Sequence, residues 1–110
     1  MKLKMGEYNF KCRDVSESQK FYQEILGFKF VETEGDCVRL ELSDKRILLM
    51  PLDKNEEPRI TFDLMTDSVP EAKKKLEAAG YKTEDRKYED WKFFAVKDPN
   101  GLEIEIIDEK

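Results

Sequence analysis

The chain contains no histidine. That excludes Ser-His-Asp and Cys-His catalysis and removes the commonest transition-metal ligand. Chemistry must rest on carboxylates, Tyr, Lys, Arg, Cys or backbone groups. Two carboxylates stand out: Glu7 in "EYNFKC" and Glu105 in the closing "LEIEIID". A pair facing each other across a cavity can act as general acid and base, or can select a cationic ligand. With no nucleophile or metal set beside them, binding is the preferred reading. Trp91 and Phe93 in "WKFFAV" alternate with residues that pack on a helix, and flat apolar groups on a cavity side suit an aromatic or planar ligand. Arg39 alternates with Val38 and Leu40 and projects toward the same cavity or toward solvent. Thr61 falls on the polar parity of "ITFDLM", while Met50 and Met65 are adaptable filler. Glu103 shares the face of Glu105 and reads as a solvated residue on a terminal strand. Cys12 is expected to be buried and Cys37 to be exposed at a strand start. Two cysteines make neither a disulfide framework nor a zinc site, so reduced thiols and a cytoplasmic location are expected.

These residues need a scaffold, and 110 residues suffice for one domain with a modest core. The charged fraction is 41%, with both signs spread along the chain, and the net charge is −5. That balance argues against nucleic acid, whose phosphates call for a basic excess. No apolar run is long enough to span a membrane, and "MKLKMGEYNF" lacks the apolar stretch of a secretory signal.

The scaffold is repeated. "DVSESQKFYQEILGFK" and "DSVPEAKKKLEAAGYK" each begin with Asp, run with helical spacing, and end Gly-aromatic-Lys. Ser16 with Gln19, and Ser68 with Glu71, have the spacing of capping boxes. Gly27 and Gly80 stand where a left-handed residue ends a helix. The first helix is expected to bury Phe21, Tyr22, Ile25 and Leu26, and Tyr8 is expected in the core. Alternating strands surround each helix, so each half reads strand, helix, strand, strand, strand. Module one covers about residues 1–53 and module two about 59–110, joined by "PLDKNEEP".

The helix signature "DVSESQKFYQEILGF" and the closing "VKDPNGLEIEI" resemble the vicinal oxygen chelate superfamily, which embraces glyoxalase I, bleomycin-resistance proteins, fosfomycin-resistance enzymes and extradiol dioxygenases. The resemblance implies an α+β fold in which two tandem βαβββ modules form a cupped mixed sheet, with a homodimer as the usual assembly. It also implies metal-ligand positions at Glu7, Met50, Thr61 and Glu105. Only Glu7 and Glu105 keep an oxygen ligand of the family's kind, because a thioether and a neutral hydroxyl replace the other two poorly. The expectation is therefore a metal-independent small-molecule binder with no cofactor. Its cationic or planar ligand would be lined by Glu7, Arg39, Met50, Thr61, Trp91, Phe93 and Glu105. The alternatives are a lyase or dioxygenase using a divalent metal held by Glu7 and Glu105, and a degenerate member acting through protein contacts.

Overall fold

The computed structural model describes residues 2–109. Its elements are β1 (Leu3–Cys12), α1 (Val15–Lys20, continued by a π-helical turn over Phe21–Ile25), β2 (Lys29–Glu34), β3 (Cys37–Leu42) and β4 (Lys45–Pro51). They are followed by β5 (Arg59–Thr66), α2 (Val69–Ala78), β6 (Thr83–Tyr88), β7 (Trp91–Lys97) and β8 (Glu103–Asp108). The expected α+β order, βαβββ twice, is observed. The chain divides into an N-terminal unit, Glu7–Ile60, and a C-terminal unit that combines the residues through Gly6 with those from Thr61 onward.

In the N-terminal unit the strands lie in the order β2-β3-β4-β1. β1 and β4 are parallel, with Tyr8 opposite Ile47, and the other pairings are antiparallel. A parallel pair needs a long crossover, and α1 is part of it. Strict alternation puts Cys12, Val38, Leu40, Ile47 and Leu49 on one face, packed with Phe10, Val15, Tyr22 and Phe28. The Tyr22 ring meets Phe10 and Phe28 edge-on, at centroid distances of 5.5 and 5.3 Å. Burial pushes the Tyr22 phenol up from its ordinary pKa, helped by Cys12.

Helix one departs from expectation in two ways. Its N-cap is Asp14, in extended conformation, whose carboxylate accepts the Glu17 N–H at 3.0 Å. Ser16 is not the cap, and Gln19 instead donates to Gln23 at 2.7 Å. The end of the helix widens: the Leu26 N–H donates to the Phe21 carbonyl, five residues back, and Gly27 closes the turn at φ +83°. Of the four residues expected to be buried, only Tyr22 packs on the core. Phe21 is 49% exposed and Ile25 71%, with Leu26 also in water. A widened turn changes the angular phase, so residues spaced for a 3.6 period leave the buried stripe. Tyr8, expected in the core, is also exposed.

The C-terminal unit repeats the plan in the order β5-β8-β7-β6, with β5 and β8 parallel. Ala72, Phe94, Val96 and Ile106 form its core, with Leu64, Val69, Leu76 and Ile104 packed on them. Ser68 caps α2 by accepting the Glu71 N–H at 3.2 Å, as the sequence predicts. Gly6 belongs to this unit and lies against Asp63. A Cβ on Gly6 would fall 1.7 Å from Asp63 Oδ1 and 2.9 Å from the Asp63 carbonyl oxygen, so only glycine fits. The connector, residues 52–58, is held by Glu56, whose carboxylate accepts the Asp53 N–H at 2.8 Å and pairs with Arg59.

Candidate functional site

Each four-stranded sheet has a second face, away from its helix, and the expected site residues lie there. On the N-terminal unit this face carries Glu7 and Asn9 from β1, Leu48 and Met50 from β4, and Arg39 from β3. The register sets them side by side: Asn9 opposite Leu48, Leu48 opposite Arg39, and Arg39 opposite Glu32. Arg39 reaches across β4 to Glu7 and donates Nη2 at 2.7 Å and Nε at 2.9 Å, one to each oxygen. It also pairs with Glu32, and with Glu34 at 2.9 Å. Its side chain is 12% exposed, so this is a partly buried, bidentate pair. Hydrogen bonding to Glu7 holds the guanidinium well above its already high ordinary pKa, so Arg39 is a fixed charge. Met50 sits half-buried opposite Lys11.

The equivalent face of the C-terminal unit forms four rows. Thr61 and Glu103 begin it. Next come Asp63, Glu105, Ala95 and Glu84, consecutive neighbours across β5, β8, β7 and β6. The third row is Met65 and Ile107, then Phe93 and Arg86; the fourth pairs Trp91 with Tyr88. Rows two residues apart are separated by about 6.7 Å. Thr61, Asp63 and Glu105 are buried, at 4%, 8% and 8% exposure, Phe93 is half-buried, and Trp91 is exposed. Arg86 reaches across β7 and grips Glu103 with two bonds of 2.9 Å, while its Nη1 lies 3.5 Å from Glu105. Glu103 is therefore a structural partner of Arg86 and not the solvated residue the alternation suggested. Its hydrogen bonds raise the Arg86 pKa further. Thr61 Oγ1 has no hydrogen-bond partner among the described residues.

Sequence reasoning named Glu7, Arg39, Thr61, Phe93 and Glu105 but passed over Asp63 and Arg86. Asp63 had a legible signal, since it follows Thr61 by two on the same strand. Arg86 had none, because "TEDRKY" is an all-polar strand whose inward residue alternation cannot select. Cys37 is buried rather than exposed; burial, then Glu34 and Asp36, push its thiol pKa up. Cys12 is buried as expected and donates to the Phe10 carbonyl at 3.1 Å.

The residues do not suit a metal of the kind the family's enzymes hold. Both oxygens of Glu7 are engaged by a guanidinium, Thr61 is a neutral hydroxyl, and Met50 is a thioether. Among the described residues, no cluster of three or more Asp, Glu or Cys side chains is arranged to hold a metal ion. No helix of the described residues is long and apolar enough to cross a membrane.

Two βαβββ units, each with a helix on one face and charged residues on the other, define the protein's class as a duplicated α+β module. The chain belongs to the glyoxalase-like domain family, whose model matches residues 7–107. The resemblance drawn from the helix signature and the closing motif is thereby borne out. Solved structures agree on the fold. A glyoxalase/bleomycin resistance protein/dioxygenase superfamily member from Vibrio splendidus 12B01 is 20% identical, with a TM-score of 0.70, over 99% of this chain and 100% of its own. Methylmalonyl-CoA epimerase from Mycobacterium tuberculosis is 18% identical, with a TM-score of 0.73, over 96% of this chain and 87% of its own. An extradiol ring-cleaving dioxygenase from B. fuscum is 18% identical, with a TM-score of 0.69, over 96% of this chain but 32% of its own. Among curated protein sequences, none matches the chain.

Proposed function

We propose that this chain binds a small cationic or planar organic molecule without a metal, in the manner of a sequestering protein rather than a metalloenzyme. The observation that carries this is the second face of the C-terminal unit. There, buried Asp63 and Glu105 stand side by side, and Phe93 and Trp91 continue the same surface two and four residues along β7. Carboxylates beside aromatic faces attract cations through both charge and ring quadrupole. Arg39 supports the same reading, because it holds Glu7 as a structural carboxylate rather than as an open metal ligand. The chain's net charge of −5 also favours a cationic ligand. The family resemblance further suggests a homodimer, and the two free cysteines suggest a reducing, cytoplasmic setting. Phe21, Ile25 and Leu26, left in water, are apolar surface that a second copy could cover.

The test is a melting-temperature screen. A planar aminoacridine should raise the transition, and Trp91→Ala should weaken the effect. The same assay with Ni²⁺, Zn²⁺, Mn²⁺ and Fe²⁺ addresses the opposing reading. Stoichiometric metal binding that disappears in Glu105→Gln would overturn the proposal in favour of a metal-dependent lyase or dioxygenase. Light scattering of the purified chain decides the dimer.

A further inference from the structure

Thr61 poses a specific chemical question. Its hydroxyl is buried and has no hydrogen-bond partner among the described residues. Leaving such a group unmatched is costly, so its surroundings should show what partner it suits. Thr61 is on the same face of β5 as Asp63, and Asp63 is the Cα partner of Glu105 on β8. One further step back along that register sets Thr61 beside Glu103. The neighbours are therefore hydrogen-bond acceptors with negative charge. The cations on the same face are Arg86, which holds Glu103 by two bonds and lies 3.5 Å from Glu105, Arg59, paired with Glu56, and Lys97, exposed opposite Glu103.

A hydroxyl that must find a partner among carboxylates matches a group that is cationic and rich in N–H donors. A quaternary ammonium has charge but no N–H to give. One row away, Met65, Ile107 and Phe93 supply an apolar strip about 6.7 Å from the acidic row. We infer that the C-terminal unit contains a subsite for a protonated primary or secondary amine. Thr61 Oγ1, Asp63 and Glu105 take the amine, and the apolar row carries the flat body of the same ligand. This rests on the proposed cation-binding function and adds to it the class of cation. The step is recognition only and moves no bond or proton.

The matched probes are 2-(2-naphthyl)ethylamine and its N,N,N-trimethyl analogue, titrated calorimetrically into the full chain at neutral pH. Both carry one positive charge and the same ring. The amine should bind tighter by about tenfold or more, the worth of a charge-assisted hydrogen bond. In Thr61→Val that preference should collapse, through weaker amine binding with the trimethyl compound unaffected. Thr61→Ser, which keeps the hydroxyl, should restore it. The melting temperature of Thr61→Val without ligand should hold or rise, which separates lost recognition from lost folding. Equal affinity of the two probes, or tighter binding of the trimethyl compound, overturns the amine subsite while leaving the broader cation-binding function standing. A preference that survives Thr61→Val overturns it too. Failure of both probes to bind removes the subsite, and failure of the aminoacridine as well removes the function on which it rests.

Discussion

Arg39 shows how a family landmark can change its role. Glu7 occupies a position at which the resemblance implies a metal ligand, yet a guanidinium from β3 engages both of its oxygens. Because the Arg39 side chain is 12% exposed and that of Glu7 21%, the pair lies between a solvated bridge and a buried one. Removing only the cation leaves a poorly hydrated carboxylate behind, the more costly half of such a change. Arg39→Leu should therefore lower stability by about 2–3 kcal/mol. Glu7→Gln in that background should recover part of the loss, since it removes the stranded charge. Urea denaturation of the two single variants and the double variant measures this. A double variant as unstable as the sum of the singles would show that the two residues are energetically independent.

Helix one is where element-level expectation and structure part company, and the energetics should follow the structure. Tyr22 packs between Phe10 and Phe28, whereas Ile25 faces water after the π-helical turn. Tyr22→Ala should cost about 3–4 kcal/mol, as truncation of a packed aromatic does. Ile25→Lys should change the stability of the monomer, measured at a dilution where light scattering shows single chains, by less than about 0.5 kcal/mol. A helix continuing with regular 3.6 spacing would make both substitutions damaging, so denaturant midpoints of the two variants discriminate. The contrast also shows what could be seen in the sequence. The duplication, the strand parity and the closing glycine of each helix were legible, because alternation and Gly-aromatic-Lys punctuation are local signals. The parity in turn placed Glu7, Arg39, Thr61, Phe93 and Glu105 on the faces away from the helices. The π-helical turn was not legible, since "FYQEILGF" satisfies a regular amphipathic period equally well. The choice of Asp14 over Ser16 as cap was hidden for a similar reason: both offer a side-chain oxygen, and only the backbone entry angle decides. Arg86 was invisible because its partners Glu103 and Glu105 lie on another strand, at the far end of the module.

At the scale of the whole chain, acid should be the vulnerable side, and the sign follows from the carboxylates. The Asp53 N–H and then Arg59 hold the Glu56 carboxyl below its ordinary range, and the Lys2 N–H does the same for Asp67. A carboxylate whose pKa is lower folded than unfolded favours the folded state while it is ionised. Its contribution is fully present above the unfolded value, about 4.3 for Glu. It is lost as pH falls through the depressed folded value, where the native carboxylate is protonated as well. The arginine partners titrate far above this window, so Arg39 and Arg86 stay charged throughout. Stability from urea midpoints should accordingly be level near neutrality and should fall below about pH 4. Glu56→Gln isolates one contribution, because glutamine cannot ionise. The variant should be less stable than the parent at pH 7, and the gap should close as the pH is lowered through the acid range. A gap that stayed constant down to pH 2 would mean that the Glu56 side chain acts in the connector through shape alone, and that its charge is immaterial to the fold.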